Sequence, residues 1–102
     1  MLKIKPGVSF HDDSFKDDRI GRVFRVAVQE APLTYDVTIT SGVDGVHSEK
    51  SDHYTGNAVD IRIRDFPGDV RRWTERMQKA LGSYYFVLLE KDHIHVSYKG
   101  PK

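Results

Sequence analysis

Apolar and polar residues alternate in two separate segments of the chain, residues 34–41 and 58–64. Successive side chains of a β-strand point to opposite faces, so this alternation predicts strands that are buried on one side only. In the second segment Val59 and Ile61 are predicted to face a core, and Asp60 lies between them on the opposite face. The chain is therefore expected to fold around a sheet with one packed face and one open face.

Two other segments have the period of a helix. Their apolar residues recur every three or four positions, which predicts two helices, the second of which ends at Gly82. Asp17 or Asp18 is placed to cap the first helix. The apolar stripes are Ile20, Val23, Phe24 and Ala27 in the first helix and Val70, Trp73, Met77 and Leu81 in the second. With two more strands at about 84–90 and 93–98, we expect an α+β sandwich, with both helices packed on one side of a mostly antiparallel sheet.

The composition of the 102 residues limits the class of protein. Their number predicts a single domain that spans residues 1–102. Cysteine is absent, so disulfides and thiolate ligands are excluded, and a metal site has to use histidine and carboxylate ligands. The net charge of +1 gives no reason to expect a nucleic acid or an anionic membrane as partner. No segment reads as a signal peptide or a membrane helix, so we expect synthesis in the cytoplasm, and the sequence leaves the final location open. We also expect a monomer.

Residues 51–60, Ser-Asp-His-Tyr-Thr-Gly-Asn-Ala-Val-Asp, form the first motif that carries chemistry. His53 offers an imidazole nitrogen and Asp60 a carboxylate oxygen, and both are common zinc ligands. Gly56 gives the backbone between them the freedom to turn, so that both side chains reach one ion. The motif begins within a long segment, residues 42–57, that reads as an irregular loop. Loops of this length usually carry function.

The second motif, Glu-Lys-Asp-His-Ile-His, ends at His95. Its Lys-Asp pair is predicted to form a two-residue turn, which pairs Glu90 with His93. In the same register Leu88 pairs with His95. Cross-strand partners point to the same side of a sheet, and so do strand residues two apart. Glu90, His93 and His95 are therefore expected to emerge together on one face of a hairpin.

Together the two motifs supply the parts of a catalytic zinc site. Such a site has three protein ligands and leaves one position for water. The predicted ligands are His53, Asp60 and His95. Glu90 is then the candidate general base, and His93 either donates to the oxyanion or holds Glu90. His47 is predicted to line the opening of the same zinc site. The alternative for each of these residues is a surface or structural role without a metal.

These residues also resemble a known family. The pattern Ser-x-His-x-x-Gly-x-Ala-x-Asp at 51–60, followed by His-x-His at 93–95, resembles the zinc D-Ala-D-Ala carboxypeptidase and endolysin peptidase superfamily. The hedgehog signalling domain shares the fold of that superfamily. The likeness to hedgehog is the closer one and lies in residues 46–61 and 90–97, with a weaker likeness at 10–20.

The resemblance implies a fold of the hedgehog and D,D-peptidase kind, with the same zinc ligands, Glu90 as base, and flanking roles for His47 and His93. Hedgehog domains also hold calcium, which prefers six to eight oxygen ligands. Their acidic cluster is matched here by Asp12, Asp13, Asp18 and Asp44. The alternative for these four carboxylates is a solvated loop with a helix cap.

From the resemblance we expect a zinc-dependent peptidase that hydrolyses amide bonds in peptidoglycan stem peptides or similar small peptides, with action at the cell wall. The alternative is a non-catalytic, hedgehog-like module that binds zinc and calcium and recognises a protein or glycan partner. The peptidases usually carry an arginine shortly after a Ser-Gly pair to grip a substrate carboxylate. Here Val43 follows that pair, so Arg62 or Arg64 is the alternative arginine for holding the substrate carboxylate.

Overall fold

The computed structural model describes residues 1–10, 18–42 and 57–100 of the chain. Within these ranges it has two helices and five strands. In chain order they are β1 (Leu2–Ile4), α1 (Arg19–Gln29), β2 (Val37–Ser41), β3 (Ala58–Arg62), α2 (Val70–Leu81), β4 (Tyr85–Leu89) and β5 (His93–Tyr98). Neither of these described helices is long and apolar enough to cross a membrane. Both predicted helices and all four predicted strands are confirmed, with ends that differ by a few residues.

The strands form one mixed sheet in the order β1-β2-β3-β5-β4. The pairs β2–β3, β3–β5 and β5–β4 are antiparallel, and β1 runs parallel to β2. The predicted α+β class with a mostly antiparallel sheet is therefore confirmed. The sequence did not predict β1, because three residues are too few to show a period. They become a strand by pairing with the first three residues of β2.

Both helices pack on the same face of the sheet. The strand residues that they cover are Val37, Ile39, Val59, Ile61, Ile94 and Val96, all fully buried. The helix residues of this core are Ile20, Val23, Val26, Ala27, Trp73, Met77 and Leu81. Burying one such side chain fully is worth about 1.5–3 kcal/mol. A shift of β3 by one residue would exchange the core positions with Asp60, so the packing fixes which residues face outward.

The ends of α2 are set by features that are visible in the sequence. The Asp69 carboxylate accepts hydrogen bonds from the backbone N–H groups of Arg71 and Arg72, at 2.9 and 3.2 Å. Such bonds satisfy N–H groups that have no partner within the helix. Gly82 ends the helix as predicted, with a φ of 89° that glycine adopts without steric cost.

The start of α1 differs from the prediction. Asp18 occupies the N-cap position, but its carboxylate makes no capping hydrogen bond, and its φ of 59° is not the extended backbone of an ordinary cap. The carboxylate instead pairs with the Arg25 guanidinium, whose Nη1 donates to Asp18 Oδ1 at 3.1 Å. Gly21 leaves room for this contact, because a Cβ at that position would collide with the Asp18 carboxylate. Asp17, the other predicted cap, lies outside the described residues.

A buried arginine joins the start of α1 to the sheet. Arg19 Nη1 donates to the side-chain oxygen of Asn57 at 3.3 Å, and the guanidinium lies 4.5 Å from the centre of the Tyr98 ring. The Tyr85 hydroxyl donates to the Arg19 carbonyl at 2.7 Å. Asn57 immediately precedes β3. These contacts therefore hold the beginning of the strand that carries Asp60.

The outer edge of β4 is covered by a side chain of α2. Gln78 Nε2 donates to the Tyr85 carbonyl at 2.8 Å, and Gln78 Oε1 accepts from the Val87 N–H at 2.9 Å. The same Nε2 donates to the Gly82 carbonyl at 3.1 Å. Since β4 is the last strand of the sheet, unpaired backbone groups on this edge would be open to another chain. The Gln78 amide satisfies two of them.

Replacing Gln78 with alanine should lower the free energy of unfolding by about 1–3 kcal/mol, because part-buried backbone groups lose their partner. Urea denaturation of the full chain measures the change. Gln29→Ala is the matched control, since Gln29 is also helical but its side chain bonds to Glu30 on the surface. For this control we expect a change below about 0.5 kcal/mol. Equal losses in the two variants would contradict a role of Gln78 at the edge.

Candidate metal centre

Polar side chains from β3 and β5 meet on the open face of the sheet. In the antiparallel register of these strands Asp60 pairs with His95, and Arg62 pairs with His93. The residues between them on each strand are buried in the core, so the alternation directs all four outward. The hairpin from β4 to β5 has the predicted register, and the Glu90 N–H donates to the His93 carbonyl at 2.9 Å.

Asp60 and His95 are in direct contact. His95 Nδ1 donates to Asp60 Oδ1 at 3.2 Å, and the two side chains are only 21% and 14% exposed. This distance also suits two ligands of one zinc ion, because bonds of about 2.0–2.1 Å at a tetrahedral angle place the donor atoms roughly 3.3 Å apart. A metal ion that takes this position displaces the proton between them. The pair therefore fits the spacing that a shared ion requires.

His93 lies between two carboxylates. Its Nε2 is 2.8 Å from Glu90 Oε2, and its Nδ1 is 2.7 Å from Asp92 Oδ1. Ionised carboxylates only accept hydrogen bonds, so a ring nitrogen that carries a proton donates to the carboxylate beside it. The same Nε2 is 3.7 Å from Asp60 Oδ1. His93 thus contacts Glu90 directly and lies near the Asp60 carboxylate, a position from which it can hold the predicted base.

Two of the predicted site histidines, His47 and His53, lie outside the described residues. Within residues 1–10, 18–42 and 57–100, no group of three or more His, Asp or Glu side chains is arranged to hold a metal ion. The described part of the site brings together Asp60 and His95. The three-ligand set, which needs His53, stays a prediction.

Of the four carboxylates predicted to bind calcium, the structure describes Asp18. The hydrogen bond from Arg25 lowers the pKa of the Asp18 carboxyl below its ordinary value. In the described part of the chain this carboxylate serves an ion pair at the start of α1. Asp12, Asp13 and Asp44 lie outside the described residues, so calcium binding also stays a prediction.

Two clefts of different character border the contact between Asp60 and His95. A polar cleft of about 280 Å³ is lined by Thr40, Asp60, Arg62, Arg64, Asp92 and His93. A second cleft of about 420 Å³ is lined by Phe86, Leu88, Glu90, His95, Ser97 and Lys99. Phe86 and Leu88 are not among the predicted site residues. The period of two along β4 was the available signal, since it places both on the face of Glu90.

Comparison with known proteins supports part of the resemblance. The chain is 39% identical over 56 residues to the Indian hedgehog B protein of Danio rerio. This match covers 55% of the chain but 14% of that protein, so the chain spans a small part of its length. No family model and no solved structure matches the chain. A partial likeness to hedgehog is therefore established, and the relation to the peptidases stays a prediction.

In the metal-free chain the Asp92 carboxyl should titrate below its ordinary pKa, because the hydrogen bond from His93 favours its ionised form. A pKa lowered by folding means that the contribution to stability is present above the ordinary carboxyl pKa. It is lost as the pH falls through the folded value. Carbon-13 NMR of the side-chain carboxyl measures the titration. In His93→Phe the pKa should return toward its ordinary value, and an unchanged pKa would exclude the hydrogen bond as the cause.

Proposed function

We propose that the chain is a zinc-dependent peptidase that hydrolyses an amide bond in peptidoglycan stem peptides or similar small peptides. The observation that carries the proposal is the contact of Asp60 with His95 on the open face, with Glu90 beside it through His93. Two ligand-type side chains at zinc spacing and a carboxylate for proton transfer are parts that metal-assisted hydrolysis needs. His53 completes the proposed ligand set.

Each described side chain has a separate task in this proposal. Bound zinc supplies a Lewis acid for the scissile carbonyl and lowers the pKa of water. Glu90, which is 43% exposed, takes a proton from the attacking water and passes it to the leaving amine. His93 holds the Glu90 carboxylate through Nε2. Asp92 accepts from the other nitrogen of His93 and so fixes the orientation of the ring.

Zinc should raise the melting temperature of the chelator-treated chain, because an ion that binds only the folded state stabilises it by about 4 kcal/mol at a thousand times Kd. Asp60→Asn and His95→Ala should lose most of this increase. Asp36→Asn is the matched control, since that carboxylate pairs with Lys3 and lies just before β2. Melting curves and zinc content per chain measure the effect. Full zinc binding by both site variants would contradict the proposed ligands.

Glu90→Gln should keep its zinc and lose at least about a hundredfold in turnover, because general-base catalysis contributes that much or more. The assay follows release of products from peptidoglycan fragments and synthetic stem peptides by mass spectrometry, with and without chelator. Glu75→Gln is the control, since Glu75 is an exposed glutamate on α2. Undiminished hydrolysis by the Glu90 variant would remove this residue from the mechanism.

The partial likeness to hedgehog favours a second function. In that case the chain is a non-catalytic module that binds zinc and calcium and recognises a protein or glycan, and Glu90 is dispensable. Calcium would then raise the melting temperature, and the zinc-loaded chain would leave every peptidoglycan fragment intact. Hydrolysis that a chelator abolishes would reject this function in favour of the peptidase.

A further inference from the structure

We propose that Phe86 and Leu88 form a subsite for an apolar side chain of the substrate, larger than the methyl group of alanine, next to the bond that is cleaved. The two side chains are called the β4 shelf below. This inference rests on the proposed function, because it takes the ligand to be a peptide. Within the proposed substrate class it selects small peptides with a residue of the size of leucine or phenylalanine.

The β4 shelf is an exposed apolar surface in a polar setting. Phe86 is 47% exposed and Leu88 is 39% exposed. They are two residues apart on one strand, so they share the face of Glu90. Single exposed apolar residues are common on protein surfaces and need no explanation. The observation that supports a contact with a ligand is that these two share one cleft with Glu90 and His95.

The shelf is continuous with the candidate metal centre. Leu88 pairs with His95, and Phe86 pairs with Ser97. Directly opposed residues of an antiparallel sheet have their Cβ atoms about 4.5–5.5 Å apart. A side chain next to a peptide bond held near His95 is therefore within reach of Leu88. The cleft of about 420 Å³ that contains the shelf is lined by Glu90 and His95 as well.

Two of the described surfaces next to Asp60 are unfavourable for an apolar side chain. On the β2 side of Asp60 the cleft is lined by charged residues, including Arg62 and Arg64. Addition of the peptide as a further strand beyond β4 is opposed, since Gln78 already bonds the Tyr85 carbonyl and the Val87 N–H. Among the described surfaces next to Asp60 and His95, the shelf is therefore the one that offers an apolar contact to a peptide crossing the open face of the sheet.

The test compares two blocked tripeptides, acetyl-Gly-Leu-Gly-amide and acetyl-Gly-Ala-Gly-amide, on the metal-free full chain, which cannot cleave them by the proposed mechanism. NMR titration gives both dissociation constants and shows which backbone amides shift. Partial burial of three further carbon atoms predicts that the leucine peptide binds about three- to tenfold more tightly. The shifts should include the amides of Phe86 and Leu88.

Leu88→Asn should remove the preference for the leucine peptide, and Phe86→Ser is a second variant at the same surface. Thermal melting establishes that each variant is folded. Leu33→Asn is the matched control, since Leu33 is 99% exposed and outside both clefts, and it should keep the preference. Equal affinity of the unmodified chain for the two peptides, or shifts that avoid the shelf, would overturn the proposal.

Hydrolysis by the zinc-loaded chain separates this proposal from the function on which it rests. The ratio of kcat/KM for leucine-containing over alanine-containing peptides should exceed one and fall toward one in Leu88→Asn. Hydrolysis without side-chain preference rejects the shelf and keeps the peptidase. A preference in binding without any hydrolysis rejects the peptidase and supports the shelf as a peptide-binding surface.

Discussion

The candidate site depends on the pairing of β3 with β5. This pairing places Asp60 opposite His95, and the same register buries Val59 and Ile61 against Ile94 and Val96 on the other face. A shift of one residue would turn a carboxylate into the core, where an unpaired charge is costly. Core packing and site geometry are therefore two results of one register. The hydrophobic residues determine where the polar ones meet.

The polar cluster consists of carboxylates in contact with two imidazoles. His95 bonds to Asp60, and His93 bonds to Glu90 and Asp92. These contacts reduce the repulsion that closely spaced carboxylates would otherwise have. A metal ion bound by Asp60 and His95 would replace the hydrogen bond between them. The contacts of His93 with Glu90 and Asp92 would need no change. Glu90 is thus oriented by a different imidazole from the one that fits a metal.

Much of the fold could be predicted from the sequence because its signals are local. The alternation of residues predicts β3 and the outward position of Asp60. The two-residue turn predicts the hairpin of β4 and β5, and its register places Glu90, His93 and His95 on one face. Three features could not be read in this way, because each depends on residues distant in sequence or in space. They are the pairing of β1 with β2, the ion pair between Asp18 and Arg25, and the hydrogen bonds of the Gln78 amide to the edge of β4. The prediction of His53 rests on its ligand chemistry and on the resemblance of its motif, and this residue lies outside the described part of the chain.

An apolar surface on an edge strand such as β4 carries a risk of pairing with other chains. Residues 84–89, Tyr-Tyr-Phe-Val-Leu-Leu, combine high β-propensity with no charge, which is typical of segments that pair with other chains. The fold limits this tendency in two ways: the Gln78 amide bonds to the edge, and the charged turn Glu90-Lys91-Asp92 follows directly. These features protect the backbone of the strand but leave Phe86 and Leu88 exposed. Aromatic side chains such as Phe86 suit a strand. The position of Leu88 opposite His95, and not exposure alone, is therefore what supports the proposed contact with a ligand.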